Sequence, residues 1–500
     1  HQVDDRVQLC LRYQAQDPSN IVYDLLANYA GIDTDYLPVA SWLTETGAYL
    51  QRLYTTLIAE PTGVNSLLSE LAEQAALAIW WDEIEKKVRL QVLREIPTTA
   101  YLFDESIVLE NSLSMKEQPN TRLSEVWTFF GQRNPLLKLD EKKNYRSASA
   151  TVDLQAETDY GTSQIKQIFS RWIPEFGRTI ATRLNNIILG RFRDPPRKFT
   201  YELLNGNDGD IALGGGYQIT SWPIQDATGQ QSVAKIQVTR LSSRPDKISV
   251  EAEEMLFYSY GTVDDPNIHT IIIDADTYNF NLRTVHDTLY SPITDPTGIT
   301  VICIIEEDVT VGSLSSSDIA FTVGDWVASL DITIDIKGRI QGKGGNGGTI
   351  SGTNATAGID GGTALYSRYP VDVKVSTGEI WGGGGGGGAS KYSNNAPGNY
   401  IAGGGGGAGF AGGSAGLSVL SGNPAVSAKS GTKEAGGDGA IIGGVQKGGN
   451  GGGPGLAGQA GQHSPVIQNG AAGSAGKAID GISYITITEG PGDRRGSEVN

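Results

Sequence analysis

The sequence predicts an α+β body with small β-barrels or sheets, then a β-rich connector and a glycine-rich C-terminal domain of packed polyglycine-II-type helices. The first observation is the position of the glycines: residues 1–337 contain 17 of the 67, and residues 338–500 contain 50. The second is the charge, which is −19 over residues 1–337 and +2 over residues 338–500. The third is the spacing of apolar side chains before residue 338, which is helical in some segments and alternating, as in strands, in others. Two different kinds of sequence therefore join near residue 338.

The first predicted domain, residues 1–97, combines helices with a β-hairpin. Asp17-Pro18 is a helix-start signal, and apolar side chains follow at helical spacing until Gly31. Further helices are predicted over residues 41–57 and from Val64 onward. The spacing then changes to alternation, which predicts a hairpin over residues 78–92.

Residues 98–262 are predicted to form a second α+β domain with a small barrel. Residues 162–189 are predicted as one or two helices with a break at Pro174. Residues 263–337 form the predicted β-rich connector because β-branched residues are concentrated there. The strands predicted in these two regions cover residues 123–130, 148–154, 198–204, 234–241, 247–251, 270–273, 299–305 and 332–336.

The predicted glycine-rich domain, residues 338–490, has three interpretations. Collagen is excluded because the segment lacks a strict Gly-X-Y period and residues 338–500 contain six prolines. A flexible linker remains open. A bundle of extended helices with three residues per turn is favoured, because apolar residues are interspersed and glycine lets neighbouring backbones approach and hydrogen-bond. Residues 482–488 are predicted as a strand that closes the bundle, and residues 491–500 as a solvated tail.

Composition excludes several classes of protein. The longest apolar runs are too short for a membrane-spanning helix, and the first residues lack the pattern of a signal peptide. The acidity argues against general nucleic-acid binding, although it permits a channel that nucleic acid passes through. Cys10 and Cys303 are predicted to be buried thiols rather than a disulfide. Because the first residue is His1, we expect a processed chain or a segment of a longer protein.

Motifs for catalysis or cofactor binding are not found. The four histidines lack metal-ligand spacing, so no metal site, catalytic residue or cofactor is predicted. Glu306-Glu307-Asp308 is predicted as a charged turn after a strand rather than a glycosidase pair. A cluster of basic residues, Arg191, Arg193, Arg197 and Lys198, could bind phosphate but is predicted to form ordinary ion pairs.

Several segments, in their order along the chain, resemble the tail proteins of long-tailed bacteriophages. They are residues 17–32, residues 67–93 with Ile79-Trp80-Trp81-Asp82-Glu83, residues 192–199 (FRDPPRKF), residues 338–348 (GRIQGKGGNGG) and residues 476–488. The chain is similar to the central tail hub or tail-tip (host-specificity) protein, and its glycine-rich end resembles phage adhesin tips.

This resemblance implies a hub-like body that forms a trimeric ring and closes the tail tube, with a tip that binds the host-cell receptor. It implies a non-enzymatic virion protein of the tail tip, assembled in the host cytoplasm. The expected partners are two further copies of the chain, other phage tail proteins, a bacterial outer-surface receptor, and DNA only in passage through the tube. An acidic body suits such a tube, because negative walls repel phosphate.

Receptor-binding residues are predicted in the polar intervals between glycine runs, since loops carried by a rigid scaffold commonly bind ligands. The intervals are residues 390–400, 418–434 and 462–469, and the named candidates are Lys391, Tyr392, Asn394, Asn395, Asn399 and Tyr400. Ordinary solvated turns are the alternative for these intervals. For the whole chain, the alternatives are a tail-associated hydrolase of envelope polysaccharide and a secreted glycine-rich surface adhesin.

Overall fold

The chain is mostly β-structure with a few helices, and it divides into two compact units. The computed structural model describes residues 10–83, 85–204, 211–226, 228–256, 267–351, 354–392, 400–418, 425–442, 446–463 and 468–500. The first unit contains His1–Pro266 and Thr288–Ser291, and the second contains Asn267–Asp287 and Pro292–Asn500. The predicted division into five segments remains a prediction. Among the described helices, none is long and apolar enough to cross a membrane.

The first helix of the first unit begins at the start signal that the sequence predicts. The side chain of Asp17 accepts a hydrogen bond from the backbone N–H of Ser19 (2.8 Å), which confirms the predicted N-terminal cap. The α-helices are Pro18–Asp24, Val39–Tyr49, Val64–Gln74, Leu154–Tyr160 and Arg178–Phe192. Shorter turns of π- or 3₁₀-helix are Leu25–Tyr29, Thr34–Tyr36, Pro119–Thr121 and Lys142–Asn144.

The described residues of the first unit form four sheets. Two are two-stranded: Leu11–Gln16 with Tyr54–Ile58, and Leu77–Asp82 with Lys87–Val92. A three-stranded sheet has the order Tyr145–Val152, Glu125–Gln132, Ile165–Phe169. The largest has the order Leu102–Phe103, Gly216–Gln225, Gln231–Ser243, Lys247–Glu254, Arg197–Leu204, Ser114–Glu117. It covers a core that includes Phe103, Phe199, Tyr201, Ile219 and Val250, and its described strands form an open sheet where a small barrel was one expectation.

Two predicted helical segments of this unit are wrong over part of their length. The helix expected over residues 41–57 ends at Tyr49, and Tyr54–Ile58 instead pairs antiparallel with Leu11–Gln16. Residues 162–189 contain a strand, Ile165–Phe169, which pairs with Glu125–Gln132 before the helix begins at Arg178. In both places a distant strand provides hydrogen-bond partners that local helical spacing does not reveal.

The basic cluster of residues 191–198 forms ion pairs, as predicted. Arg191 pairs with Glu253 (2.7 Å), Arg197 with Glu254 (2.8 Å) and Lys198 with Glu251 (2.7 Å). Arg193 contacts three carboxylates, those of Asp153, Asp159 and Asp194. These basic side chains are therefore engaged within the protein.

The second unit contains a three-sided parallel β-solenoid of five coils. Each coil contributes one strand to each of three parallel five-stranded sheets, and the chain visits the sheets in the same order every time. Sheet A contains Ile268–Ile273, Thr300–Ile305, Asp331–Ile336, Val371–Lys374 and Ile485–Glu489. Sheet B contains Thr277–Tyr278, Thr310–Gly312, Arg339–Gln341, Glu379–Trp381 and Asp493–Arg495. Sheet C contains Phe280–Asn281, Phe321–Thr322, Leu365–Tyr366, Lys477–Asp480 and Ser497–Val499.

Side chains in equivalent positions of successive coils stack inside the solenoid. One such row in sheet A is formed by Ile271, Cys303, Ile334 and Val373, all fully buried. A short helix, Leu282–Leu289, follows the first coil, and Ile482–Tyr484 forms a 3₁₀ turn. Residues 493–499, expected to be a solvated tail, form two strands of the fifth coil, because the fourth coil offers them open strand edges.

The glycine-rich segments are two insertions into this solenoid, residues 342–364 in the third coil and 382–476 in the fourth. Backbone hydrogen bonds within them repeat every third residue. Along residues 382–389, Gly383, Gly386 and Ala389 donate to one neighbouring segment, at Gly362, Ile359 and Thr356 respectively. Other members of the run donate to residues 405–408 and 456–459, and the run accepts from residues 345–348, 449–452 and 473–476. We call the described residues of the two insertions the glycine bundle.

The two cysteines should differ in reactivity. Cys10 is exposed, which corrects the expectation that it is buried, whereas Cys303 is buried in the solenoid and desolvation raises the pKa of its thiol. We expect a thiol reagent such as iodoacetamide to label Cys10 rapidly in the native protein and Cys303 only in denaturant. Peptide mass spectrometry measures this, with Cys10→Ser as the control. Rapid native labelling of Cys303 would contradict the solenoid packing.

Candidate functional site

The glycine bundle has one end against the solenoid, which we call the near end. Lys433 forms an ion pair with Asp276 (3.0 Å), and Arg339 pairs with Glu434. A Cβ atom placed on Gly312 would overlap the ring of Phe410, so this ring lies directly on sheet B. The chain reversals around residues 410 and 433 are therefore at the near end.

At the opposite end, which we call the far end, the described residues form three small antiparallel sheets. They are Ile350–Ser351 with Asn354–Ala355; Tyr400–Ala402, Ser390–Tyr392 and Gln468–Asn469; and Ala425–Val426, Ile441–Ile442 and Gln446–Lys447. The side chain of Gln446 donates to the carbonyl of Ser390 (2.8 Å), and Lys447 pairs with Gln462. The segments that connect glycine runs at this end are thus joined to one another.

Small apolar clusters fix these sheets to the glycine runs. Ala355, Ala389 and Ile401 form one cluster, with Ile401 almost fully buried. A second contains Ala402, Ala440 and Ile442, with Ala428 packed against it. Burial of these side chains gives the far end a fixed base.

Three of the predicted receptor-binding residues, Lys391, Tyr392 and Tyr400, lie in paired strands of the far end. Lys391 lies in the first of these strands, opposite Ile401 and Gln468, and Tyr392 pairs with Tyr400 in the backbone register. The structure therefore brings Lys391, Tyr392 and Tyr400 together. Three further candidates, Asn394, Asn395 and Asn399, lie outside the described residues, and a role for all six remains a prediction.

The other two predicted intervals have different positions. Gln468–Asn469 extends the sheet of Ser390–Tyr392, so the interval 462–469 reaches the far end. The interval 418–434 reaches both ends, since Ala425–Val426 belongs to a far-end sheet while Lys433 contacts Asp276 at the near end. Residues 433–434 are therefore part of the attachment to the solenoid.

Sequence reasoning missed two segments of the far end, residues 350–355 and 441–447. Both are short and contain no aromatic residue, unlike residues 390–400. The missing signal was the alternating direction of the runs. Because consecutive runs are antiparallel, connections lie alternately at the near and far ends.

Two of the four histidines, which are distant in sequence, contact each other inside the second unit. His286 Nε2 is 2.8 Å from His269 Nδ1, and His286 Nδ1 is 2.8 Å from Asp287 Oδ1. Desolvation lowers the pKa of His286, while Asp287 acts in the opposite direction. Within the described residues, no group of three or more His, Cys, Asp or Glu side chains could hold a metal ion.

The second unit is the part of the chain that matches a known protein family. Residues 268–499 match the family of the phage tail fibre adhesin Gp38, and this range begins and ends with the first and last strands of the solenoid. The match covers just under half of the chain. No curated protein matches.

Several solved structures also show a partial likeness to the chain. The gp37-gp38 adhesin tip complex of the bacteriophage S16 long tail fibre is 22% identical, with a TM-score of 0.32, covering 46% of this chain and 82% of that one. A native gene transfer agent virion is 12% identical, with a TM-score of 0.35, covering 50% and 51%. A 43 kDa tail protein of prophage MuSo2 from Shewanella oneidensis is 11% identical, with a TM-score of 0.28, covering 48% and 66%.

These structural likenesses are weak, so the family match has the greater weight. It agrees with the position of the bundle, whose far end gathers several chain connections on one surface. Through residues 268–499 the chain is therefore similar to phage tail fibre adhesins.

Proposed function

We propose that this chain is a structural protein of the phage tail tip that recognises a host-cell receptor through the far-end loops of its glycine bundle. The observation that carries the proposal is the convergence of connections at the far end, where strands from residues 390–402, 441–447 and 468–469 contact one another. A surface assembled from several loops on a rigid base suits recognition, because loops can vary while the base stays fixed.

The base itself is proposed to be a bundle of polyglycine-II-type helices. Such helices have three residues per turn and no internal hydrogen bonds, so their amides must pair with neighbours. The three-residue repeat of donors along residues 382–389 fits this geometry. So does the close approach of backbones: a Cβ atom on Gly385 would lie 2.0 Å from the carbonyl oxygen of Gly473.

We also propose that the body acts as a tail hub. In this proposal three copies form a ring that closes the tail tube, other tail proteins bind the ring, and DNA passes through it. Residues 1–266, which make up most of the first unit, carry a net charge of −10, and this charge supports a lumen that repels DNA. In the S16 long tail fibre, gp38 forms an adhesin tip complex with gp37. Because residues 268–499 match the Gp38 family, a tail-protein partner is proposed for this chain as well.

The recognition surface is tested by replacing residues 393–399 with a Gly-Ser segment of equal length. We expect phage adsorption to fall at least tenfold, because contacts to the receptor are lost while the flanking strands 390–392 and 400–402 remain. The matched control is Leu456→Ser, since Leu456 is 63% exposed and lies on a connection away from the far-end sheets.

Adsorption is measured with particles that carry each variant, and thermal unfolding of the purified chain confirms that both variants fold. Normal adsorption by the 393–399 replacement would contradict the assignment of this loop. Release of sugar from host envelope polysaccharide by the purified chain would instead favour a hydrolase.

A further inference from the structure

A cavity lined by both polar and apolar groups lies on the outer face of sheet A, apart from the far end of the glycine bundle. Its volume is about 370 Å³, which is within the range of small-molecule binding sites. Asp331 and Thr333 from the third coil, Asp372 from the fourth and Thr486 from the fifth line it. All of these residues are described, and they come from three successive coils of one sheet.

The regular register of the solenoid aligns these side chains. Thr333 is directly opposite Asp372, and Asp372 is directly opposite Thr486. Neighbouring strands are about 4.8 Å apart, so these three side chains form a row with that spacing. Asp331 precedes Thr333 by two residues and therefore points to the same face, about 6.6 Å along the strand.

The polar groups of the row are available to a ligand. In the described structure, the side chains of Asp331, Thr333, Asp372 and Thr486 form no hydrogen bond or ion pair with the rest of the protein. An apolar wall is supplied by Tyr369. Its ring is held in place because its hydroxyl accepts from the N–H of Leu330 (2.7 Å) and lies 2.8 Å from the carbonyl oxygen of Val327.

The chemistry of the lining restricts the class of ligand. The lining contains two carboxylates, several hydroxyls and no basic side chain. Carboxylates accept hydrogen bonds, threonine hydroxyls donate or accept them, and an aromatic ring packs against C–H groups. An anionic ligand would be repelled, whereas an uncharged ring with several hydroxyls could satisfy both carboxylates at once.

We propose that this cavity is a binding site for a neutral hexose unit of a surface glycan. The site is separate from the proposed loop surface, so it would give the protein a second contact with the cell envelope. Two weak contacts on one chain raise overall avidity when both can be engaged together.

The test is saturation-transfer NMR on the full chain with methyl α-D-glucopyranoside, methyl α-D-galactopyranoside and methyl α-D-mannopyranoside as separate probes. At least one neutral sugar should receive saturation from the wild-type protein. The Asp331→Asn/Asp372→Asn double variant should reduce that signal at least fivefold. Asp335→Asn is the matched control, because Asp335 is on the same strand and face but outside the cavity, and its signal should be unchanged.

Methyl α-D-glucopyranosiduronate serves as the anionic counterpart and should give a weaker signal. The proposal is overturned by any of three results: no neutral sugar receives saturation, the double variant keeps the signal, or the anionic sugar gives a signal as strong as that of the neutral sugars. The replacement of residues 393–399 should keep the signal, so failure of this site and failure of the loop surface are distinguishable. Equal melting temperatures of the variants would show that loss of signal is not unfolding.

Discussion

A Gly386→Ala substitution is expected to destabilise the glycine bundle by more than about 3 kcal/mol. Adding a methyl group to a packed interior usually costs less than this, but a rigid backbone site cannot relax to accommodate it. A Cβ atom at this position would lie 2.0 Å from the carbonyl oxygen of Asn346. Gly386 also donates to Ile359 and accepts from Gly473, both at 2.8 Å. The obstructing atom is backbone that is itself hydrogen-bonded to neighbours, so the clash cannot be relieved by rotating a side chain.

The measurement is thermal unfolding together with hydrogen exchange of residues 382–389. We expect the transition of the second unit to fall by at least about 6 °C and the amides of this run to lose protection. Gly453→Ala is the matched control, because the nearest atom to its Cβ is Leu456 Cδ1 at 3.7 Å. That variant should be neutral or stabilised by up to about 1 kcal/mol through the unfolded state. Equal behaviour of the two variants would contradict direct backbone packing.

An Ile334→Asp substitution is expected to prevent folding of the solenoid. Ile334 is fully buried between Cys303 and Val373, so the change removes apolar contacts and places a carboxylate among buried side chains. The combined cost exceeds about 5 kcal/mol, which is comparable with the whole stability of a typical domain. We expect insoluble protein or loss of the unfolding transition of the second unit.

Ile334→Val is the control for this position and should cost about 0.5–1.5 kcal/mol. Urea unfolding of both variants, followed by far-ultraviolet circular dichroism, makes the comparison. A soluble Ile334→Asp protein with an unchanged midpoint would show that residues 331–336 do not face the interior.

Much of the local structure could be predicted from residue patterns. Asp17-Pro18 marks a helix start and Val64 begins a helix, because capping and apolar spacing act over a few neighbouring residues. The alternation of residues 299–305 likewise corresponds to the strand Thr300–Ile305. These signals are local, so a few neighbouring residues are enough to predict each element.

Prediction failed where a distant partner decides the structure. Residues 54–58 and 165–169 have helical spacing but form strands, since each adds to a strand far away in the chain. Residues 493–499 look solvated in composition, yet they pair with the fourth coil of the solenoid. Parallel pairing across inserted segments has no short-range signature, because the insertion of residues 382–476 separates strands that are neighbours in space.

The candidate site was only partly predicted, because its assembly also depends on segments that are distant in sequence. Polar composition pointed to residues 390–400 and 462–469, and both have strands at the far end. Composition could not show that residues 441–447 contact this surface or that Lys433 lies at the near end. That depends on the direction of each glycine run, which is set only when the runs pack.

By itself, the sequence determined that the chain changes from an ordinary globular composition to a glycine-rich one near residue 338. Fifty glycines in residues 338–500 leave little side-chain volume for an ordinary core, so any ordered state must be stabilised by contacts between backbones. The tertiary structure alone decided that the bundle is inserted into a five-coil solenoid whose first strand is Ile268–Ile273 and whose last is Ser497–Val499. The physical reason is that parallel strands pair through backbone groups common to every residue, so only the complete packing fixes their register.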